Sequence, residues 1–536
     1  MHNMKTKHIL SSLFLGSCLL CTTACVDKLD IGQHGVTNVD NFYETDADAE
    51  EAVIACYNEW KTTYQPAFWL KNLLSDDCYS GGESWDAASG YLLTTYRFDA
   101  SFGNIGTLYQ NLYNVIYDAN MILENVAEDS DIKLRARAEA KVFRAMAYIE
   151  LISLWGTPPL VDHVLSMGNY ALPNGDKQAL WNLVNTDLAE AIDSGHLTEK
   201  AGVNDWTYRI TKQFAQALLG KAYIYQGNYG DAATVLDEVI SSGKYDLYSD
   251  FENIQTTKGE ANCESLFESN YVYDANQVDN MSDMIWVYTN WRGDRLSFDM
   301  AGAYASVYTN QGWGFFNPTK EAYDAFVAEE GENGYRLNAS IKTYEQIKAM
   351  GVSLADGQVM PDNAGLFSWK YRSYNDDCIQ LYFLRCPNNL RAMRYAEVLL
   401  FAAEAHIQGG GDAGKALEYI NKVRSRARLE PLPDVTMDDI KKERRLELWM
   451  EGCRYQDLVR WGDAAKVLAD RGKERPQLDW VRDDAGNIVD PPTEVVNMAA
   501  QKNADAGFQA GKHELLPFPT AEINVNGSIT QNPEYE

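Results

Sequence analysis

Apolar residues recur at helical spacing along much of the chain. In the segment 41–64 they stand three or four residues apart behind Thr45 and Asp46, which suit a helix N-cap: Ala49, Ala52, Val53, Cys56, Tyr57 and Trp60. Similar spacing predicts helices over 108–126 and 135–156, and the second of these ends at Gly156 before "TPPL". Two amphipathic helices joined by a short turn predict a helical hairpin.

A helical repeat follows further along the chain. The stretch "LGKAYIYQGNYGDAATVLDEVI" (219–240) carries small residues at Gly220 and Ala232 and aromatic ones at Tyr223 and Tyr229, around a turn at 227–228. This arrangement fits one tetratricopeptide helix pair, and 396–427 is a looser version with alanine at contact positions. Because such units must stack to bury their apolar faces, we expect about four pairs or more in a curved α-solenoid.

The stretch 245–390 differs from the rest of the chain in composition and periodicity. Gly, Asn and Asp separate short aromatic runs, and helical periodicity mostly fades. Aromatic residues are densest in "MIWVYTNWRGDRLSFDMAGAYASVYTNQGWGFF" (284–316). We therefore expect long loops with short strands and helices, laid over the solenoid.

The N-terminus has the pattern of a targeting segment. Lys5 and Lys7 precede a short apolar run at 9–21, and no later segment has a comparable run. A bacterial lipoprotein signal is cut after small residues, just before the cysteine that receives the lipid. Cys25 follows "TTA" and leaves the apolar run intact, so we predict the lipid there. Cleavage before Cys18 would cut into the run, and plain secretion is the other alternative.

Composition narrows the classes of partner. The formal net charge of −30, without a block of Lys or Arg, disfavours nucleic acid and anionic lipid surfaces. The cysteines beyond Cys25 form no C-x-x-C pair and only seven histidines are present, so we expect neither a zinc site nor another cofactor. Cys378 and Cys386 are candidates for a disulfide in an oxidising compartment, although two free thiols are the simpler interpretation.

Two motifs imitate catalytic sites. "GGGDAGKA" (409–416) resembles a phosphate-binding loop, but Ala416 replaces the hydroxyl residue that would hold Mg²⁺, and a repeat turn is predicted instead. In "KKERRLELWMEGCRYQDLVRWG" (441–462), Glu447 and Glu451 lie one helical turn apart and form a candidate glycosidase pair. Because several arginines stand beside them and lower carboxylate pKa values, an ion-pair network that locks the last helices to the body is the better interpretation.

Aromatic residues in the loops are the remaining functional signal. Rings at helical spacing inside the solenoid are core by default, whereas rings among Gly, Asn and Asp are harder to explain in that way. An indole face matches the apolar C–H face of a sugar ring, and nearby polar groups can bond the sugar hydroxyls. Burial of any single ring is the alternative. The candidate stacking residues are Trp85, Tyr91, Tyr288, Trp291 and Trp313, with Arg292 and Asp294 as polar companions.

Several segments together resemble the SusD/RagB family, the surface lipoproteins of Bacteroidetes that pair with TonB-dependent transporters. They occur in the family's order: "RAEAKVFRAMAYIELISLWGTPPLV" (137–161), "MRYAEVLLFAAEA" (393–405), "INKVRSRARL" (420–429), "ERRLELWMEGCRYQDLVRWG" (443–462), and the terminal "LLPFPTAEI" and "QNPEY". The resemblance implies a mostly α fold: a tetratricopeptide-like helical repeat scaffold, or α–α superhelix, with a loop-rich C-terminal half packed over it. We divide the chain into a signal peptide (1–24), an N-terminal helical region (25–244) and a C-terminal region (245–536).

The resemblance also implies a function. Members of this family bind oligosaccharides, occasionally peptides, at the cell surface and cap their transporter without catalysis. We therefore expect a lipid-anchored outer-membrane protein that binds a glycan, is not an enzyme, and has a SusC-like transporter as its partner. The alternatives are peptide binding, a helical-repeat scaffold without a small ligand, and a glycosidase. The family's ligand contacts lie outside the matching segments, so the aromatic candidates stay predictions from composition and placement.

Overall fold

Helices are the main regular element in the described part of the computed structural model, which comprises residues 42–82, 88–271, 284–308, 312–376 and 386–535. In chain order they are α1 (Asp46–Leu73), α2 (Ala88–Thr94), α3 (Gly103–Asn125), α4 (Asp131–Trp155), α5 (Lys177–Asp193), α6 (Lys212–Gln226), α7 (Tyr229–Ser241), α8 (Ile285–Thr289), α9 (Lys320–Glu330), α10 (Tyr335–Ser340), α11 (Tyr344–Ala349), α12 (Tyr395–Gln408), α13 (Ala413–Arg426), α14 (Met437–Glu447), α15 (Arg454–Arg460), α16 (Ala464–Val467) and α17 (Thr520–Val525). Within these ranges, none of the helices has the length and apolar character needed to cross a membrane. The predicted mostly helical class is confirmed.

The strands are short and antiparallel. They are β1 (Cys78–Tyr79), β2 (Ser265–Ser269), β3 (Leu296–Phe298), β4 (Val307–Tyr308), β5 (Asn317–Pro318), β6 (Ile341–Thr343), β7 (Val352–Leu354), β8 (Met360–Pro361), β9 (Leu366–Ser368), β10 (Ser373–Tyr374), β11 (Leu390–Arg394), β12 (Glu474–Trp480) and β13 (Glu494–Lys502). The pairs are β1–β5, β2–β11, β3–β7, β4–β10 and β6–β9, while β12 lies between β13 and β8. Several pairs join segments that are far apart in sequence, and they tie the loop-rich region to the helices.

The pair α6–α7 shows why the repeat forms. Thr211 caps α6 by accepting a hydrogen bond from the Phe214 N–H (3.1 Å), and Gly227 ends the helix at φ +73°. A Cβ on Gly220 would lie 2.5 Å from a methyl carbon of Leu236, so glycine is needed for this close approach of the two helices. The helix–turn–helix predicted over 219–240 is present.

Successive helices stack along the first half of the chain. Helix α1 packs against α3, α3 against α4, α4 against α5, α5 against α6, and α6 against α7. The chain then enters the loop-rich region and returns at α12, which packs on both α7 and α13. One hydrophobic core runs through this series. The stacked scaffold interrupted by a loop-rich segment agrees with the expectation from the sequence.

The loop-rich region has a core of its own. Its buried members come from the strands and short helices between residues 291 and 374 and from β12: Trp291, Leu296, Val307, Tyr344, Ile347, Met350, Val352, Leu354, Met360, Phe367, Trp369, Tyr374, Leu478 and Trp480. The aromatic loops are therefore supported by a packed interior instead of lying loosely on the solenoid.

The segment 441–462 is not one helix, contrary to the prediction. Helix α14 ends at Glu447, and the next helix starts at Arg454. Glu447 accepts hydrogen bonds from Arg394 (3.0 Å) and Arg336 (3.1 Å), while Glu451 pairs with Lys370 (2.6 Å) and with Arg394. The predicted ion-pair network is confirmed, but its partners come from other elements instead of from the same helix.

The sequence 409–416 is a turn between two helices, as predicted. Helix α12 ends at Gln408, and the Asp412 carboxylate caps α13 by accepting from the N–H groups of Gly414 (2.9 Å) and Lys415 (3.2 Å). Whether Cys378 and Cys386 form a disulfide or stay as two thiols is left open, because Cys378 lies outside the described residues. Cys386 is buried.

Candidate functional site

The two loops that carry the predicted site residues meet in the fold. Strand β1 of the first loop pairs with β5, just beyond the second loop. The Gly81 N–H donates to the carbonyl of Phe315 (3.2 Å), and a Cβ on Gly81 would lie only 1.8 Å from the carbonyl oxygen of Gly314. A side chain at position 81 would therefore push the loops apart, and glycine lets them join into one surface.

Trp313 presents its indole to solvent at this junction. It is 36% exposed, and it is the one tryptophan among the exposed large hydrophobic side chains of the described residues. Its ring centroid lies 5.6 Å from that of Tyr288 and 5.5 Å from that of Phe315, and Trp69 of α1 contacts both of these rings from behind. We call these four residues the aromatic platform.

Backbone hydrogen bonds hold the exposed ring in place. The Trp313 N–H donates to the carbonyl of Val287 (2.7 Å), and the Phe315 N–H donates to the carbonyl of Tyr288 (2.7 Å). Between them, the Gly314 N–H donates to the carbonyl of Asn290 (2.8 Å). Three bonds to the end of α8 leave the loop little freedom, so the indole is pre-positioned for a ligand.

Tyr288 is the buried member of the platform that contacts Trp313. Only 7% of it is exposed, its ring is nearly parallel to that of Phe315 (16° between planes), and its hydroxyl accepts a hydrogen bond from Gln65 Nε2 of α1 (2.8 Å). Tyr288 was predicted to stack on the ligand itself. In the structure it is a buried layer under Trp313 and connects the platform to the helical scaffold.

Arg292 and Asp294 lie beside the platform, as their position in the sequence suggested. Arg292 donates to both carboxylate oxygens of Asp294 (2.9 and 2.8 Å), and Arg295 donates to one of them (3.3 Å). A Cβ on Gly314 would lie 2.7 Å from Arg292 Cγ, so the arginine stem runs directly against the loop that carries Trp313.

The carboxylate of Asp294 is fixed and charged. Partial burial raises its pKa, but the hydrogen bonds and charges of Arg292 and Arg295 lower the pKa by more, and the net shift is downward. Its side chain is 57% exposed while that of Arg292 is 5% exposed. Asp294 therefore offers an oriented hydrogen-bond acceptor to solvent next to an exposed indole.

Trp291 is not part of this surface. It is 2% exposed, its ring stacks on Trp369 with 5.8 Å between centroids, and its indole N–H donates to the carbonyl of Ser368 (2.9 Å). Neither ring face is open to a ligand in this structure. The burial that was the alternative for any single ring applies here, because Trp291 fills the core of the loop-rich region.

Tyr91 lies in the short helix α2, which follows the first loop. Its hydroxyl donates to Asn503 Oδ1 (2.6 Å), and the guanidinium of Arg475 covers its ring at 4.2 Å. The ring is half-buried, so it has less free surface than Trp313. Trp85 and Cys25 lie outside the described residues, and their predicted roles stay predictions.

Three members of the site escaped prediction from the sequence. Phe315 belongs to the run "GWGFF" and could have been named with Trp313, since both stand in the same Gly-rich stretch. Gln65 and Trp69 lie within α1, where their spacing resembles that of core residues, and no local signal distinguishes them. Among the described residues, no group of three or more His, Cys, Asp and Glu side chains is arranged to hold a metal ion.

Two family models match the chain, one toward each end. The model described as "SusD family" matches residues 363–535, and the model described as "Starch-binding associating with outer membrane" matches 36–224. A SusD-like protein of Bacteroides ovatus is 25% identical over 484 residues, which is 84% of this chain and 82% of that protein. The starch-binding protein SusD of Bacteroides thetaiotaomicron is 24% identical over 518 residues, covering 88% and 86%.

Solved structures share the fold over nearly the whole chain. A laminarin-binding SusD-like protein superposes with a TM-score of 0.75 at 27% identity, covering 92% of this chain and 100% of that chain. Surface glycan-binding protein A of Bacteroides thetaiotaomicron, in complex with laminarihexaose, has a TM-score of 0.70 at 25% identity and covers 91% and 99%. The predicted resemblance is confirmed at both ends of the sequence and in three dimensions.

Proposed function

The chain belongs to the SusD/RagB family, and we propose that it is a non-catalytic protein of the outer membrane that binds an oligosaccharide. The single observation that carries this proposal is the exposed Trp313 on its rigid aromatic support, beside the oriented carboxylate of Asp294. The relatives named for starch, glycan or laminarin binding support the same class of ligand.

The chemistry of the platform suits a sugar. The C–H face of a pyranose ring is apolar and packs on an indole, whereas its hydroxyls need hydrogen-bond partners at the rim. Asp294 supplies an acceptor there. Arg292 and Arg295 hold its carboxylate in place, and the side chain stays 57% exposed. Because the surface is already ordered, ligand binding costs little free energy for ordering side chains and loops. We propose a neutral glucan of the laminarin type as the first ligand to test.

We propose that Cys25 is the lipidated first residue of the mature protein. The lipid would hold the protein at the outer membrane with the platform facing outward. Mass spectrometry of the N-terminal peptide should find acyl chains on Cys25, and Cys25→Ala should release the protein from the membrane fraction. An unmodified N-terminus at another position would contradict this proposal.

We also propose a SusC-like TonB-dependent transporter as the partner to which the protein delivers its glycan. The support is family membership, because the resemblance to this family implies a transporter of this kind as the partner. A tagged protein purified from mild-detergent extracts should bring down a transporter that mass spectrometry identifies as TonB-dependent. Recovery of the tagged protein alone, with the transporter present in the same extract, would contradict the pairing.

Calorimetric titration with laminarin and laminarihexaose tests the binding proposal. We expect Trp313→Ala to weaken binding by about tenfold or more, equivalent to ~1.4 kcal/mol. A tenfold loss is comparable to the upper end of the ~0.5–1.5 kcal/mol that a pair of aromatic rings contributes beyond its buried area. Tyr208→Ala is the matched control, because Tyr208 is 66% exposed and lies outside the platform.

The possible results separate the alternatives from one another. If no glycan in a broad panel binds while peptides do, the ligand class is wrong. If glycans bind but Trp313→Ala behaves like the control, the location of the site is wrong. Release of reducing sugar by the purified protein would contradict the non-catalytic role.

A further inference from the structure

A second, polar cleft of about 450 Å³ lies between α10, β6 and the end of α13. None of its lining residues belongs to the aromatic platform. Two cationic side chains, Lys342 and Arg428, face it together with the carboxylates of Glu252 and Glu330. The overall charge of this protein is strongly negative, so a cleft that holds an exposed arginine and a half-buried lysine requires an explanation.

The backbone holds Arg428 in a conformation that favours glycine. Its φ is +65°, its N–H donates to the carbonyl of Ser425 (3.0 Å), and the next N–H, of Leu429, donates to the carbonyl of Arg424 (2.9 Å). This pair of bonds is the Schellman ending of a helix, in which the left-handed position is most often glycine. Arginine is strained there, and residues held under strain cluster at functional sites.

The guanidinium of Arg428 has no acidic partner in the described chain. It lies 3.7 Å above the ring centre of Tyr335, and no described carboxylate comes within ion-pairing distance of it. The other described arginines all make an ion pair or a hydrogen bond through their guanidinium groups. The ring of Tyr335 thus orients a guanidinium whose N–H groups point to no acceptor within the described residues.

Lys342 is the second cation of the cleft. Its ammonium lies 5.4 Å from the ring centre of Trp369 and makes no ion pair or hydrogen bond with the described residues. Burial lowers its pKa to about 8, Glu252 opposes that shift, and Arg372 adds to it. An ammonium so placed gains if an anion enters beside it.

Each of the two acids of the cleft is paired with an arginine outside the cleft lining, and no described carboxylate forms a direct ion pair with Lys342 or Arg428. Glu330 is fully buried, and its oxygens accept from Arg336 (2.7 Å) and from the Leu337 N–H (2.9 Å). Glu252 is half exposed and pairs with Arg372 at 3.5 Å. Because charges farther away than ~8–10 Å are largely screened at physiological salt, the local positive charge decides what binds, despite the net charge of the chain.

From this geometry we propose that the cleft binds an oxyanion, a carboxylate or a sulfate, of the kind carried by an acidic sugar. The guanidinium of Arg428 would take two oxygens of the group side by side, and the ammonium of Lys342 would take another. This site is separate from the aromatic platform, so a ligand could bind to each of them independently.

Titration at constant ionic strength tests the proposal with three probes: sodium sulfate, sodium glucuronate and glucose. We expect sulfate and glucuronate to bind and glucose not to bind. Arg428→Gly should weaken anion binding by about tenfold or more, yet leave the melting temperature unchanged or higher, because glycine relieves the strained conformation. Lys177→Gln is the matched control, since it removes the same charge from an exposed position outside the cleft.

The pH dependence supplies an independent measurement. As the pH rises from about 7 to about 9, Lys342 loses its proton, so wild-type affinity for glucuronate should fall. In Lys342→Gln the affinity should be weaker and should vary much less over this range. The proposal is wrong if neither anion binds, or if both bind equally well to wild type and to Arg428→Gly. Laminarin binding by Arg428→Gly should equal that of wild type, which separates this test from that of the platform.

Discussion

Replacing Glu447 by glutamine should destabilise the protein strongly without altering its ligand binding. The Glu447 side chain is fully buried at the end of α14. Its carboxylate accepts from Arg394 (3.0 Å), Arg336 (3.1 Å) and Arg426, which come from three other segments. Glutamine keeps the shape of the side chain, but it replaces one oxygen by an NH₂ group that faces an arginine.

The contacts of the three arginines set the size of the effect. Removal of one partner from a buried ion pair costs ~3–5 kcal/mol, because the remaining charge is left without compensation. Here Arg336 keeps Glu330 and Glu443, and Arg394 keeps Glu264 and Glu451. Arg426 keeps Glu264, at 3.0 Å. No arginine is orphaned, so we expect the lower end of that range, about 3 kcal/mol.

The pH dependence of the effect has a definite sign. Burial raises the pKa of Glu447, but the charges of Arg426, Arg394 and Arg336 outweigh burial and hold the pKa well below its usual value. The pKa of Glu447 in the folded protein is therefore lower than the ~4.3 of a glutamate in the unfolded chain. The stabilisation is present above that pH and is lost as the pH falls toward the folded pKa, so the difference between wild type and Glu447→Gln should narrow in acid.

Urea unfolding followed by circular dichroism measures the difference. Glu190→Gln is the control: its carboxylate pairs with Lys141 at 2.6 Å but is 56% exposed, and exposed pairs contribute at most ~1 kcal/mol. A loss of less than ~1 kcal/mol for Glu447→Gln would refute the role of the network. Laminarin binding should be unchanged in both variants.

Three further substitutions test the loop junction, a helix and the response to acid. Gly81→Ala places a Cβ against the Gly314 carbonyl, so calorimetry should show laminarin binding reduced about tenfold or more; unchanged affinity would mean that the loop contact is dispensable. Gly230→Ala, in α7 with open space around its Cβ, should raise the free energy of unfolding in urea by about 0.5–1 kcal/mol, and a decrease would contradict this. Burial, together with Lys512, lowers the pKa of His513 to about 4, whereas a histidine in the unfolded chain has a pKa of ~6.5. The stability that depends on neutral His513 is therefore complete above pH ~6.5 and is lost as the pH falls toward 4. His513→Asn should flatten the stability–pH curve in this window, and an unchanged slope in urea unfolding would count against the assignment.

Helix positions could be predicted because their causes are local. Thr45 was named as a cap from the sequence, and in the structure it accepts from the Asp48 N–H (3.1 Å) while Asp48 bonds back to it. The break after Glu447 could not be predicted in the same way. Lys370 donates to the carbonyls of Glu447 (3.1 Å) and Trp449 (3.0 Å), so a residue far away in sequence satisfies the groups that a longer helix would have used.

The contrast between Trp291 and Trp313 shows where prediction from sequence ends for the binding site. Both stand in the same Gly-, Asn- and Asp-rich stretch, and composition treats them alike. In the structure, Ser368 accepts from the indole N–H of Trp291 and draws that ring into the core, while three backbone bonds fix the loop of Trp313 with its ring outward. The deciding partner of Trp291 is far away in sequence. When a ligand surface is assembled from such distant contacts, the only local signal in the sequence is a high aromatic content. Which of these rings is exposed can be determined only from the folded structure.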